Sequence, residues 1–139
     1  LPHPTSTEIA ARIQDLYGAP LAELQAHAQS RPPGMLSALL AMHHDLAYAE
    51  QRIAFHRDRL TQLVHPERQI SAHEASHVLD CARQLAEAVT VRDVQAKAVP
   101  AVLQSLGRVA APAPSPAPAP TVPAVPAAPA PAASTARSR

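Results

Sequence analysis

Residues 35–64 read MLSALLAMHHDLAYAEQRIAFHRDRLTQLV, a stretch without Gly or Pro. Leu39, Leu46, Ile53 and Leu60 recur every seven positions. Met35, Met42, Ala49, His56 and Leu63 fill the second core position of the same heptad. Seven residues make almost two helical turns, so both sets run as one stripe along one side of a helix. The pattern predicts a helix over 35–65, roughly 45 Å long at the α-helical rise, with an apolar seam that has to be covered. His56 alone is polar in that seam. It is expected to be a partly buried, hydrogen-bonded core residue rather than a ligand.

Downstream, His65-Pro66-Glu67-Arg68-Gln69-Ile70 is a short polar link. Ser71 and Glu74 then have the spacing of a capping box, with Ile70 placed to staple onto the first turn. A second long helix is expected over 72–99. Its heptad places Ala75, Ala82, Val89 and Ala96 beside Val78, Leu85, Arg92 and Val99. A link this short between two long helices implies an antiparallel hairpin. Pro100 is expected to break the helix, with a further piece over 101–106 and Gly107 as its C-cap.

Upstream, Leu1-Pro2-His3-Pro4 is expected to be extended. Thr5 and Glu8 repeat the capping-box spacing. Ile9, Ile13 and Leu16 give a helix over 6–17, which Gly18-Ala19-Pro20 ends. A second piece over 20–29 carries Leu21, Leu24 and Ala28, and Arg31-Pro32-Pro33-Gly34 stops it. Tyr48 and Phe55, seven apart on a flank of the long helix, are expected to receive this N-terminal segment. Left uncovered, they would form a partner-binding stripe. The fold class is therefore all-α: a broken N-terminal helix on a long, coiled-coil-like antiparallel hairpin, forming one helical domain over 5–107. Residues 108–139 are mostly Ala and Pro, with nine of the chain's sixteen prolines between Pro112 and Pro131. Such a segment lacks large apolar groups and is expected to be a disordered tail.

Composition excludes several classes of function. A formal net charge of +1 gives no strong pull towards nucleic acid or anionic membrane. All eleven acidic residues precede Gly107, and Arg52, Arg57 and Arg59 interleave with Asp45, Glu50 and Asp58. Aromatic residues are 2% of the chain, too few for a base-stacking platform. Three scattered glycines cannot build a phosphate loop. The single cysteine, Cys81, permits no intramolecular disulfide and fits a reducing compartment. No apolar run is long enough to span a membrane, and no secretion signal is visible. The expected location is the cytoplasm. Cys81 itself is placed at the edge of the second seam, as a semi-buried thiol with His77 four residues back.

One motif points elsewhere. His73-Glu74-Ala75-Ser76-His77 has the spacing H-E-x-x-H. Histidines four apart share a helix face, so both imidazoles can reach one zinc ion while the glutamate activates its bound water. The string Ala72–His77 is similar to the His-Glu-Ala-Gly-His of membrane-anchored AAA-type zinc proteases, with Ser76 in place of Gly. That resemblance covers six residues. It implies zinc as cofactor, His73 and His77 as ligands and Glu74 as the catalytic residue of a hydrolase.

Three observations weigh against that reading. Glu74 already has a structural place in a capping box. No acid or histidine follows Asp93 to supply a distant third ligand. On a helical wheel with Ala75 at zero, the expected core direction lies near 315°, while His73 and His77 lie near 160° and 200°. Asp80 shares their face, so His73, His77 and Asp80 are the candidate metal ligands. Gln84 and Glu87 continue the stripe, as on a solvated surface.

The expectation from sequence is a non-enzymatic protein–protein interaction or scaffolding module. Its interaction seam is Leu39, Met42, Leu46, Ile53, Leu60, Leu63, Val78, Leu85 and Val89, which would self-associate or take a partner helix. Neither a catalytic residue nor a cofactor is assigned on this reading. The first alternative is the zinc-dependent hydrolase. The second is a DNA-associated accessory protein of a mobile element, which the near-neutral charge disfavours.

Overall fold

A computed structural model describes residues 2–110 together with 126 and 128. The described residues form an all-α fold of four helices: α1 (Ser6–Tyr17), α2 (Leu21–Gln29), α3 (Met35–Leu63) and α4 (Ala72–Ala110). α1, α2 and α4 start where a side chain accepts from an amide of the first turn, whereas α3 starts after Gly34 with no side-chain cap. At α1, Glu8 N–H donates to Thr5 Oγ1 at 3.3 Å, and Thr5 N–H donates to Glu8 Oε2 at 2.7 Å. At α4 the same reciprocal pair joins Ser71 and Glu74, at 3.4 and 2.8 Å. Ile70 remains 54% exposed, so the expected staple does not bury it. α2 begins after Pro20, which has no capping side chain. Gln14 reaches across the elbow instead, and its Oε1 accepts from Leu21 N–H at 2.9 Å. Gly18 makes that elbow, at φ 68°, where its N–H closes α1 on Gln14 O.

α3 and α4 pair antiparallel along most of their length. Near the link His56 meets Cys81, and far from it Leu39 and Leu40 share a core with Val99 and Leu103. α1 and α2 lie against the end of the hairpin remote from the link. The main core is there: Ile9, Ile13, Leu24, Leu39, Leu40, Leu46, Ala96, Val99 and Leu103. Three polar contacts fix α1 in place. Ser6 N–H donates to Glu50 Oε1 at 2.8 Å and Ser6 Oγ–H donates to Glu50 Oε2. His43 Nε2 lies 3.1 Å from Ser6 O. A carboxylate from α3 thus covers one free amide and a hydroxyl at the start of α1.

Three expectations are corrected. First, Pro100 does not end the helix: α4 is continuous from Ala72 to Ala110 and passes through Gly107 and Arg108. Proline removes one donor, at a cost of about 3 kcal/mol relative to alanine. Ala96, Val99 and Leu103 bracket it in the main core, and that shared burial holds both sides in one helix. Second, the buried face of α4 is turned from the expected seam. Cys81, Ala88, Ala96, Val99 and Leu103 are buried, whereas Ala75 and Ala82 are exposed. On the same wheel this face centres near 255°, a rotation of about 60°. Third, Tyr48 and Phe55 do not receive α1; they are 57% and 65% exposed. Glu50 and His43, which hold α1, point about 160° and 140° away from Tyr48 around α3.

The expectation of a disordered tail over 108–139 falls, beyond Ala110, outside the described residues except for 126 and 128. No helix among the described residues is long and apolar enough to cross a membrane.

Candidate functional site

The rotation of α4 decides what the link end of the hairpin displays. With the buried face near 255°, His77 sits about 55° from its centre, at the rim, rather than on the far side. A shallow groove of about 170 Å³ follows. It is lined from α3 by Phe55, His56, Arg59 and Leu63, and from α4 by His77, Asp80, Cys81 and Gln84. α1 and α2 cover the opposite end of the hairpin, so this groove is open.

Its floor is the pair His56 and Cys81, 7% and 5% exposed. The Cys81 thiol donates to His56 O at 3.4 Å, and its Sγ lies 3.9 Å from His56 Nδ1. Cys81 is therefore a seam residue, and its histidine neighbour comes from α3, not from His77. The thiol is thus engaged by a carbonyl and packed away from water. Phe55 stands edge-on to the His56 ring, with centroids 5.2 Å apart.

The motif residues lie at the groove's outer end. His73 and His77 are exposed, and their Nε2 atoms are 3.0 Å apart. The rings are nearly perpendicular, at 84°. Glu74 is held elsewhere: it accepts from Ser71 N–H and lies 3.6 Å from Arg68 Nη2. Donation from the Ser71 backbone and hydroxyl, with the Arg68 charge nearby, keeps its carboxyl below the usual glutamate range. A carboxylate so occupied is a poor general base for a metal-bound water. Asp80 shares the histidine side of α4 but accepts from Arg83 and, at 2.9 Å, from Gln84 Nε2. The Arg83 hydrogen bond and charge hold its carboxyl down. Among the described residues, no group of three or more His, Cys, Asp or Glu is placed to hold a metal ion.

The seam residues divide. Leu39, Leu46, Ile53 and Leu63 are buried. Met42, Leu60, Val78, Leu85 and Val89 are half-buried. Most of that apolar surface is covered within the chain by α3, α4 and the N-terminal pair. What stays uncovered is a different set: Leu79 and Val94 on the outer side of α4, at 72% and 57%, and a group on the groove side. Tyr48 and Phe55 stand on α3, and Val91, seven residues beyond the groove-lining Gln84, is 41% exposed on α4. Arg52 and Arg59 run beside the first two; Asp80 and Glu87 run beside Val91. Sequence reasoning missed this face because it placed α4 a sixth of a turn away. The one available signal was Cys81, Ala88 and Gln95 at strict seven-residue spacing.

A larger cleft, of about 520 Å³, lies at the other end, between α2 and the start of α3. It is lined by Tyr17, Leu24, His27, Arg31, Met35 and Leu36 among others and includes none of the groove residues. No protein-family model, curated protein or solved structure matches the chain.

Proposed function

We propose that the chain is a non-enzymatic helical interaction module that pairs with a second copy through the hairpin face bearing Tyr48, Phe55 and Val91. The observation that carries this reading is the exposure of two large aromatic side chains, at 57% and 65%, on one stripe of α3 away from α1. Aromatic residues concentrate where partners bind, because each offers a large rigid contact area. The same face carries Arg52 and Arg59 on α3 and Asp80 and Glu87 on α4. A surface with both signs in separate rows is self-complementary under a two-fold axis, which sets the basic row of one copy beside the acidic row of the other. Two hairpins joined in this way make a four-helix arrangement.

The test is sedimentation velocity of the full chain over a dilution series, with Phe55→Glu and Tyr48→Glu as variants. The proposal expects a dimer that dissociates on dilution, and monomers at every concentration for either variant. Both residues are exposed, so circular dichroism should show unchanged helix content. A monomeric wild type throughout, or a dimer that tolerates both substitutions, overturns the reading.

A further inference from the structure

We propose that His73 and His77 form a two-histidine clamp for a divalent transition-metal ion of tetragonal preference, with Cu²⁺ the tightest of the series. The clamp does not depend on pairing of the hairpins, and it is not a hydrolytic centre.

The geometry carries the argument. Both side chains are exposed, and their Nε2 atoms hydrogen-bond each other at 3.0 Å. Metal–imidazole bonds of about 2.0–2.1 Å across that gap close an N–metal–N angle of about 95°. A tetrahedral ion needs a gap of about 3.3 Å at the same bond length. The near-right angle is that of adjacent ligands in square-planar or tetragonal Cu²⁺ and Ni²⁺ sites with nitrogen and oxygen donors, and affinity in the first-row series peaks at Cu²⁺. To bind an ion, the imidazole that carries the shared proton gives it up, and both rings turn their Nε2 lone pairs from the line between them to a common point.

The surroundings fit a cation held by two ligands, with water in the other positions. The start of a helix repels positive charge. Here Glu74, between the two histidines, and Asp80, one turn beyond His77, bring carboxylates to this end of the helix, each shared with an arginine, Arg68 and Arg83. Glu74 accepts from Ser71 N–H, and Asp80 from Arg83 and Gln84. Glu74 keeps its place on Ser71 and does not approach a metal-bound water. An ion joined to positions i and i+4 ties the first two turns of α4 together, so binding favours the folded chain.

The experiment uses untagged full-length chain, freed of metal and titrated with Cu²⁺ alone. Electron paramagnetic resonance of the first ion bound should show tetragonal Cu²⁺ with two nitrogen donors. Paramagnetic broadening of backbone amides should centre on residues 72–78. Cu²⁺ should raise the melting temperature of the wild type and leave that of His73→Ala/His77→Ala unchanged. Both side chains are exposed, so the double variant should retain its helix content. Broadening centred on another histidine, such as the His43–His44 pair, overturns the proposal. So does a double variant with the same first site. If the double variant does not fold, the broadening map of the wild type alone decides.

Discussion

At the scale of single residues, two serine or threonine hydroxyls and two glutamates set the start of α1 and α4. Glu8 and Glu74 are each held below the usual carboxylate range, chiefly by the backbone N–H of Thr5 and of Ser71. A group whose folded pKa is depressed contributes stability above its unfolded pKa, and that contribution disappears as pH falls through the folded value. The chain should therefore lose stability on acidification below about pH 4, the ordinary glutamate range. Glu8→Ala/Glu74→Ala should melt below wild type at neutral pH, and the difference should shrink once the carboxylates are protonated. Thermal denaturation followed by circular dichroism at both pH values checks this. Equal differences at the two pH values would mean the caps act through something other than their charge.

At the scale of elements, the two special residues of the backbone act in opposite directions. Gly18 holds a left-handed conformation at the α1–α2 elbow, and a Cβ there would meet open space. The cost of Gly18→Ala is then conformational alone, about 1 kcal/mol, visible as a lower urea midpoint. Pro100 costs α4 one hydrogen bond inside a helix that its neighbours hold together. Pro100→Ala restores the donor but loosens the unfolded chain slightly. The net expectation is a gain of about 2 kcal/mol, with a higher urea midpoint. A loss of stability would show that the ring's own packing, half-buried in the structure, matters more than the missing bond.

At the scale of the whole molecule, the core is unevenly placed. Nine buried residues from all four helices cluster at the end carrying α1 and α2. The link end is a two-helix arm with Ile53, His56, Leu63, Cys81 and Ala88 between its helices. Local opening should follow that difference. Hydrogen exchange should be slowest over residues 39–50 of α3 and 92–103 of α4, and faster over 58–80. The proposed metal clamp lies on this less protected arm, so its occupation should slow exchange there first. Uniform protection along the hairpin would contradict this account.

The sequence by itself determined most of the element boundaries, though not the run of α4 through Pro100 and Gly107. The capping pairs, the Gly18–Pro20 elbow and the Arg31–Gly34 stop act through hydrogen bonds and dihedrals within a few residues of each other. Each therefore marks its boundary without help from the rest of the chain. The heptad of α3 was equally legible, because its Leu and Ile residues favour one face strongly. The short link then made the hairpin antiparallel. The His73–His77 spacing and Glu74's place in the capping box were legible as well, but not the 3.0 Å approach of the two Nε2 atoms.

What the tertiary structure decided was the facing. In α4, alanines lie on several faces and each adds little burial energy, about 0.8 kcal/mol per methylene-sized group. The heptad there could not choose among directions a fraction of a turn apart, and contact with α3 chose for it. That choice buried Cys81 against His56, moved His77 to the rim of a groove and kept α4 whole across Pro100. Glu50 and His43 fixed α1 on one side of the hairpin, which left Tyr48 and Phe55 in the open on the other. Local hydrogen bonds write where a helix begins and ends. Only packing between helices settles which way it turns.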